Sequence, residues 1–414
     1  MIHAPLKLEP DAMIGIQRIQ PVGRTPHISM HAYCETSNFV VSMRRAVSDR
    51  RLYRATSDIR LGGISAAIAH YQDNPTPDLL ILESAAPRDE LLSGLARLAS
   101  VCDSRTKVIV VGIANDIALF RELVSGGITE YLLAPVDALT IIGAVLKLFP
   151  EENGTCIGKI HAVIGAKGGV GSSVLAQNLA WTVSQNTHAT LLADLDLQFG
   201  TVALNCNIDC PTGFADQLPD GDRLDGALLE RLLFKHGPGL SILPCATTAQ
   251  IASDPDLAII EKVLDLARST FPHVVLDLPH AWSPLVRSAL LAADDITLVA
   301  EPDLANLRNA RCLLDFLRQK RPNDPLPRLV VNRVGMPKRK EIPPQKFASA
   351  LEIPLTAKIA DDPVVFSAAA ANGQMLCEVS RKAEVAPTLE YLAGQLIGRT
   401  TLKKRKGFWG FWAS

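Results

Sequence analysis

Between Gly165 and Ser173 the chain reads GAKGGVGSS, in which four glycines (Gly165, Gly168, Gly169 and Gly171) surround Lys167 and Val170 and lead into two hydroxyls. Glycine lets backbone N–H groups converge on phosphate oxygens, and a helix starting at the end of such a loop points its positive end at them. The run fits the phosphate-binding pattern G-x-x-x-x-G-K-[ST] with one change: Ser172 stands where the pattern has a lysine for the β- and γ-phosphates. Ser173 takes the last place, where a hydroxyl ligates Mg2+. Two apolar segments downstream end in carboxylates. LLADLDLQFG carries Asp194 and Asp196 two residues apart, predicted to face the same way at a strand's carboxyl end, and VVLDLPH delivers Asp277, suited to hold Mg2+ through water. Singly, the loop could be a plain glycine turn and each aspartate the cap of a turn. Together and in this order they predict a site for ATP and Mg2+.

The elements that must position these groups are legible as alternating strands and helices. KIHAVIGA runs into the glycine loop and then into a helix near Ser173; ATLLADLDL, LSILPC, HVVLDLP, DITLVAEP and RLVVNRV read as further strands. A closing helix carries Val385, Leu389, Leu392 and Leu396 on one face. Ahead of this lies a smaller set: strands in HISMHAYCET, DLLILES, KVIVVGI and ITEYLLAPV, with helical spacing in ISAAIAHYQ, ELLSGLARLAS and IALFRELVSGG. The pattern predicts two doubly wound α/β domains. Their expected bounds are residues 29–150 and 159–398, with a tail at 1–28, a linker at 151–158 and a second tail at 399–414.

Composition narrows the partners. The 414 residues carry 42 Lys and Arg against 43 Asp and Glu, a formal charge of -1, so the chain as a whole is not built to coat nucleic acid or anionic lipid. The eight scattered cysteines suit reduced thiols rather than zinc or disulfides. MIHAPLKLEP lacks the apolar core of a signal peptide, and no window is apolar enough to span a bilayer, which predicts a cytoplasmic protein. PKRKEIPPQK, Pro337 to Lys346, reads as a solvated loop, with part of a contact surface as the alternative.

KGGVGSS, DLD, VVLDLP and VVNRV, in that order, resemble the ParA/MinD family of deviant Walker A ATPases over roughly residues 158–398. The resemblance implies that Lys167 reaches across a nucleotide-sandwich homodimer to the other copy's phosphates. It implies further that Asp196 assists the attacking water, that Asp194 and Asp277 support the metal, and that Asn332 hydrogen-bonds adenine. Ser172 departs from the family pattern. Deleting one preorganised charge at the phosphates costs several kcal/mol of transition-state stabilisation, so hydrolysis is expected to be slow or absent while binding persists.

PDLLILESAAP and GGITEYLLAPV resemble response-regulator receiver domains, with a flavodoxin-like fold, over roughly residues 30–150. In that family the third strand ends in the phosphate-accepting Asp, the fourth in Ser or Thr, and the fifth in Lys before Pro; here Glu83, Gly112 and Ala134 hold those places. Without the acceptor, hydroxyl and ammonium, the switch is chemically disarmed, and protein contact is the role left to the fold.

KKRKGFWGFW sets Lys403, Lys404, Arg405 and Lys406 before Phe408, Trp409, Phe411 and Trp412, a composition suited to a membrane interface, with a peptide for a partner's groove, stacking on single-stranded nucleic acid and a plain disordered tail as alternatives. At about 1 kcal/mol per basic residue, one tail gives about millimolar binding and two tails on a dimer gain avidity. A disarmed receiver joined to a deviant Walker A ATPase resembles the TadZ/CpaE family of the bacterial tight-adherence pilus machinery. That resemblance implies a positioning factor at the inner membrane or a cell pole that recruits the pilus secretion ATPase and its membrane platform. A DNA-partition ATPase and a nucleotide-free scaffold are the alternatives; the near-neutral charge disfavours the first.

Overall fold

The computed structural model describes residues 25–149, 158–187, 189–210, 225–245 and 257–399. The basic-aromatic tail after residue 399, the segment 151–157 and the first 24 residues, all named above, lie outside the described residues. The chain divides into two units, Met1–Glu151 and Glu152–Ser414. Among the described residues no helix is long and apolar enough to cross a membrane.

The first unit alternates β1 (Ile28–Cys34), α1 (Ser37–Val47), β2 (Ala55–Leu61), α2 (Gly63–Tyr71), β3 (Leu79–Ser84), α3 (Arg88–Ala99), β4 (Lys107–Gly112), α4 (Ile117–Ser125), β5 (Glu130–Leu133) and α5 (Ala138–Leu148). The strands form one parallel sheet in the order β2-β1-β3-β4-β5. All six residues of β3 are buried, as a central parallel strand covered on both faces requires. The edge strand β2, ATSDIRL, has no fully buried residue, which explains why its apolar pattern is absent from the sequence. Thr25 is buried and its N–H donates to the Arg51 carbonyl, so the packed part of this unit begins earlier than residue 29.

The second unit continues with β6 (Lys159–Gly165), α6 (Ser172–Thr187), β7 (Thr190–Asp194), α7 (Val202–Asn205), α8 (Gly226–Leu232), β8 (Phe234–His236), β9 (Leu240–Leu243) and α9 (Leu257–Thr270). Then follow β10 (His273–Leu278), α10 (Pro284–Ala292), β11 (Asp295–Ala300), α11 (Leu304–Lys320), β12 (Arg328–Val334), α12 (Pro344–Leu351), β13 (Leu355–Ala360), α13 (Pro363–Asn372), α14 (Leu376–Val379) and α15 (Ala386–Leu396). The sheet runs β13-β12-β11-β6-β10-β7-β9-β8, parallel except for the antiparallel edge hairpin β8–β9. Apolar clusters cover both faces; α15 buries Leu389, Leu392 and Leu396 on α6 and its surroundings. The central strands β6, β10 and β7 end side by side, and Asp277 and Asp194 are register partners at that edge.

Candidate functional site

The loop leaving β6 is held from several sides. Gly169 and Gly171 have φ of 81° and 87°, a backbone region that side chains disfavour. A Cβ on Gly165 would meet Val170, the Lys167 carbonyl and the Ser172 hydroxyl at 2.8 to 3.0 Å, so only glycine lets the loop close this tightly. The Val170 side chain is buried beneath it, while Lys167, Gly168 and Gly169 are exposed. Nothing lies within 4 Å of a Cβ built on Gly168 or Gly169, which leaves the mouth of the cradle open. Ser172 opens α6, half-buried, with Ser173 behind it.

The carboxylates divide into one that is satisfied and one that is not. Asp194 is fully buried; its Oδ1 accepts the Asp196 N–H at 3.0 Å and its Oδ2 the Val202 N–H at 3.2 Å. The alternation predicted to aim Asp194 and Asp196 alike does not hold, because β7 stops at Asp194 and Asp196 lies in the turn beyond. There the Asp196 side chain caps the Phe199 N–H at 3.0 Å, half-buried beside the loop that Asp194 orients. Asp277 is buried with Oδ1 lacking any partner among the described residues. Burial first, then the neighbouring Asp194 charge, pushes its carboxyl well above the usual range, against a lowering hydrogen bond from Ser173. Burial likewise pushes Asp194 up to about 7, despite its two backbone donors. A buried, unpaired carboxylate touching a serine hydroxyl is a donor set that a hard divalent cation satisfies, so Ser173 and Asp277 fit Mg2+ and the open loop fits phosphate. Asp194 fits a positioning role better than a ligand's.

Asn332, at the end of β12, is buried against the back of the loop: its Nδ2 donates to the Val170 carbonyl at 2.8 Å, and a Cβ on Gly171 would come within 2.6 Å of that nitrogen. Its Oδ1 is without a partner among the described residues. The residue implied to read adenine thus also braces the loop. Lys167 lies near enough to Asp303, the N-cap of α11, to help lower that carboxyl, behind the larger contributions of the Asn306 donors.

Two loop contacts escaped sequence reasoning. His280 Nδ1 sits 3.0 Å from the Gly165 carbonyl, and Asn309 Nδ2 donates to the Ala166 carbonyl at 2.9 Å. A cavity of about 410 Å³ between them is walled by Trp282 and Phe316, whose rings meet edge to face at 4.9 Å. The only signal was the HAW immediately after VVLDLP; nothing in α11 marks Asn309. The PKRKEIPPQK segment is not simply solvated: Arg339 pairs with Glu301 at 2.5 Å and Glu341 at 3.2 Å, and Glu341 accepts the Gly335 and Met336 N–H groups.

In the first unit, Glu83 at the end of β3 is buried and accepts three hydrogen bonds from the start of α1: Glu35 N–H at 2.7 Å, Thr36 N–H at 2.8 Å and Thr36 Oγ1 at 2.6 Å. Glu35 in turn accepts the Ala85 N–H at 2.8 Å. At Gly112 a Cβ would fall 2.4 Å from the Tyr131 hydroxyl, which donates to the Ala114 carbonyl at 2.9 Å. Ala134 follows β5, its N–H on the Gly112 carbonyl. Glu83, Gly112 and Ala134 therefore converge on one end of the sheet, filled by a carboxylate and a phenol that are already satisfied.

Residues 159–336 match the family model described as cellulose biosynthesis protein BcsQ. A ParA family ATPase from Chlorobium tepidum shares the fold at 23% identity, over 57% of this chain and 98% of its own, with a TM-score of 0.53. MinD of Pyrococcus horikoshii, solved with Mg-ADP, does so at 20% identity, over 59% of this chain and all of its own, with a TM-score of 0.50. The pilus assembly protein CpaE of Caulobacter crescentus is 43% identical over 31% of this chain and 97% of its own; its TM-score of 0.30 adds nothing, and the identity carries the relation. By that identity, together with the ParA/MinD-type fold of its second unit, the chain belongs to the TadZ/CpaE family.

Proposed function

We propose that this protein serves pilus assembly as a nucleotide-gated positioning factor, with ATP bound in the second unit and hydrolysed slowly or not at all. The 43% identity to a pilus assembly protein supports the biological setting. The observation that carries the mechanism is the buried Asp277 carboxylate, unpartnered at Oδ1 and bonded to Ser173 beneath an open glycine loop.

In this reading the Gly165–Ser173 backbone cradles the phosphates, with Gly165, Gly168, Gly169 and Gly171 allowing close approach and Val170 anchoring the loop. Ser173 and Asp277 hold Mg2+, which neutralises charge on the phosphates when bound. Asp194 sets the turn from which Asp196 orients water, and Asn332 turns its free Oδ1 toward the base edge. Lys167, exposed at the loop's crest, reaches the phosphates of a second copy and makes binding and homodimerisation one event. Ser172 brings no cation to the β- and γ-phosphates, so the closed dimer is long-lived. The dimer then marks a site at the inner membrane or a cell pole, recruiting the secretion ATPase and membrane platform, with peripheral membrane contact through the tail after residue 399.

Calorimetry with Mg-ATP on the wild type and Lys167→Ala, with phosphate release followed in parallel, tests this. The expected result is magnesium-dependent binding that weakens at least about tenfold in Lys167→Ala, with little phosphate released by either. An absence of wild-type binding overturns the nucleotide gate and leaves a scaffold.

A further inference from the structure

We infer, on the nucleotide reading above, that His280 is a positioning residue for the phosphate loop: by tying the Gly165 carbonyl to the exit of β10, it couples cation binding at Asp277 to nucleotide binding in the loop. β10 and β6 pair as far as Leu278 and Ile164. The next residues in that register are Pro279 and Gly165, and proline has no N–H to give. The Gly165 carbonyl finds its donor instead in the His280 side chain, whose Nδ1 lies 3.0 Å away. A carbonyl oxygen only accepts, so Nδ1 carries the hydrogen.

One short segment thus grips the loop at both ends. Asp277 takes a hydrogen bond from Ser173, where the loop enters α6, and His280 holds Gly165, where the loop leaves β6. Between the two stand only Leu278, which is buried, and Pro279, whose ring fixes φ. Little backbone freedom separates the carboxylate from the imidazole. What a cation on the unpartnered Asp277 Oδ1 does to this segment is therefore passed on to Gly165.

The bond matters because of where each peptide plane points. In a trans peptide the carbonyl of one residue and the N–H of the next point in opposite directions. The peptide joining Gly165 to Ala166 is held on both sides, its carbonyl by His280 and its N–H by the Val299 carbonyl at 2.7 Å. The following peptide has its carbonyl on Asn309 Nδ2 at 2.9 Å, which turns the Lys167 N–H the other way. A phosphate loop works by presenting N–H groups, so its carbonyls must be occupied elsewhere. His280 and Asn309 do this for adjacent peptides, but Asn309 comes from α11 and has no short link to Asp277. Of the two donors, only His280 joins the loop to the cation's side of the site.

The surroundings of His280 let the bond be removed without disturbing a packed core. Its ring borders the cavity of about 410 Å³ walled by Trp282 and Phe316, so a leucine at this position meets open space. Leucine gives no donor. Asparagine sets an amide nitrogen the same number of bonds from Cα as Nδ1 and keeps one.

ATP affinity of the full chain, measured by calorimetry in magnesium and in EDTA, tests the inference. The ratio of the two affinities should fall about fivefold in His280→Leu, the loss of one hydrogen bond, and His280→Asn should restore most of it. Asn309→Leu should weaken ATP binding by the same factor in both buffers and leave the ratio as it was. A ratio unchanged in His280→Leu, or lowered as much by Asn309→Leu, would overturn the coupling while the nucleotide reading stands. A wild type that binds no ATP in either buffer would overturn both. Hydrogen exchange in the nucleotide-free protein reads the hold on the loop by itself: the Ala166 amide should exchange severalfold faster in His280→Leu and at the wild-type rate in His280→Asn. Unaltered exchange in His280→Leu would overturn the positioning role whatever the loop binds.

Discussion

Glu83 and Asp277 are both buried carboxylates at the carboxyl ends of central parallel strands, one in each unit, and their surroundings could hardly differ more. Glu83 accepts two backbone N–H groups and a hydroxyl from the start of α1, where the helix terminus already favours negative charge. Asp277 has one oxygen facing no donor among the described residues. The first site has closed over its own charge, and the second has not. Two strand-end carboxylates in one chain therefore stand differently: Glu83 is satisfied by its neighbours, whereas Asp277, close to the loop that carries Ser172, keeps an oxygen without a partner among the described residues.

The largest effect that would break this contrast concerns Ser172. If the second site is intact but for that charge, Ser172→Lys should raise phosphate release about 100-fold or more, read in a steady-state assay with Mg-ATP. No gain would mean that the site is as closed as that of Glu83.

Next in size are two variants of opposite sign. Glu83→Gln turns an amide toward donors that need an acceptor, and should cost about 2–3 kcal/mol, read as a lower melting transition of the first unit. Asp277→Asn removes a carboxyl whose ionisation burial opposes, and should leave the magnesium-free protein as stable or more so while abolishing magnesium-dependent nucleotide binding. Destabilisation by both would erase the distinction.

The smallest effect is a pH slope. Asp194, pushed up to about 7 by burial, and Asp277, also raised by burial, keep their protons in the folded chain after the unfolded chain has released them near pH 4. The stability this contributes is present below pH 4 and lost as pH rises through 7. His273, held down to about 4 by burial, acts in the opposite direction below pH 6.5, so the clean window is pH 6.5 to 8. There the melting temperature of the magnesium-free protein should fall by a few degrees, and Asp194→Asn should flatten the slope.

The glycine loop, the two aspartate-ending strands and the parallel architecture were legible because ligands of open α/β sheets sit at strand ends, and glycine and aspartate mark those ends locally. What was not legible depended on distance or polarity. The donors to Glu83 lie 47 and 48 residues away, His280 and Asn309 meet the loop from 115 and 143 residues away, and no local pattern announces such pairs. β2 was hidden by its polar edge. The Asp194 and Asp196 pairing was misread because period-two reasoning holds only while a strand continues, and β7 ends at Asp194. IALFRELVSGG showed helical spacing, but spacing alone does not tell which apolar residues of α4 face the core.

The clamp of Asn332 on Val170, with Gly171 pressed against it, bears on what a nucleotide bound as proposed would meet on arrival. Ordering a loose backbone costs about 1–2 kcal/mol of conformational entropy per residue, a cost that a floppy phosphate loop would charge against affinity at every binding event. Here that ordering is done by folding, before any ligand appears. A rigid loop can thus retain affinity after losing a lysine, while the rate of bond cleavage, which depends on charge placed at the transition state, has no such reserve.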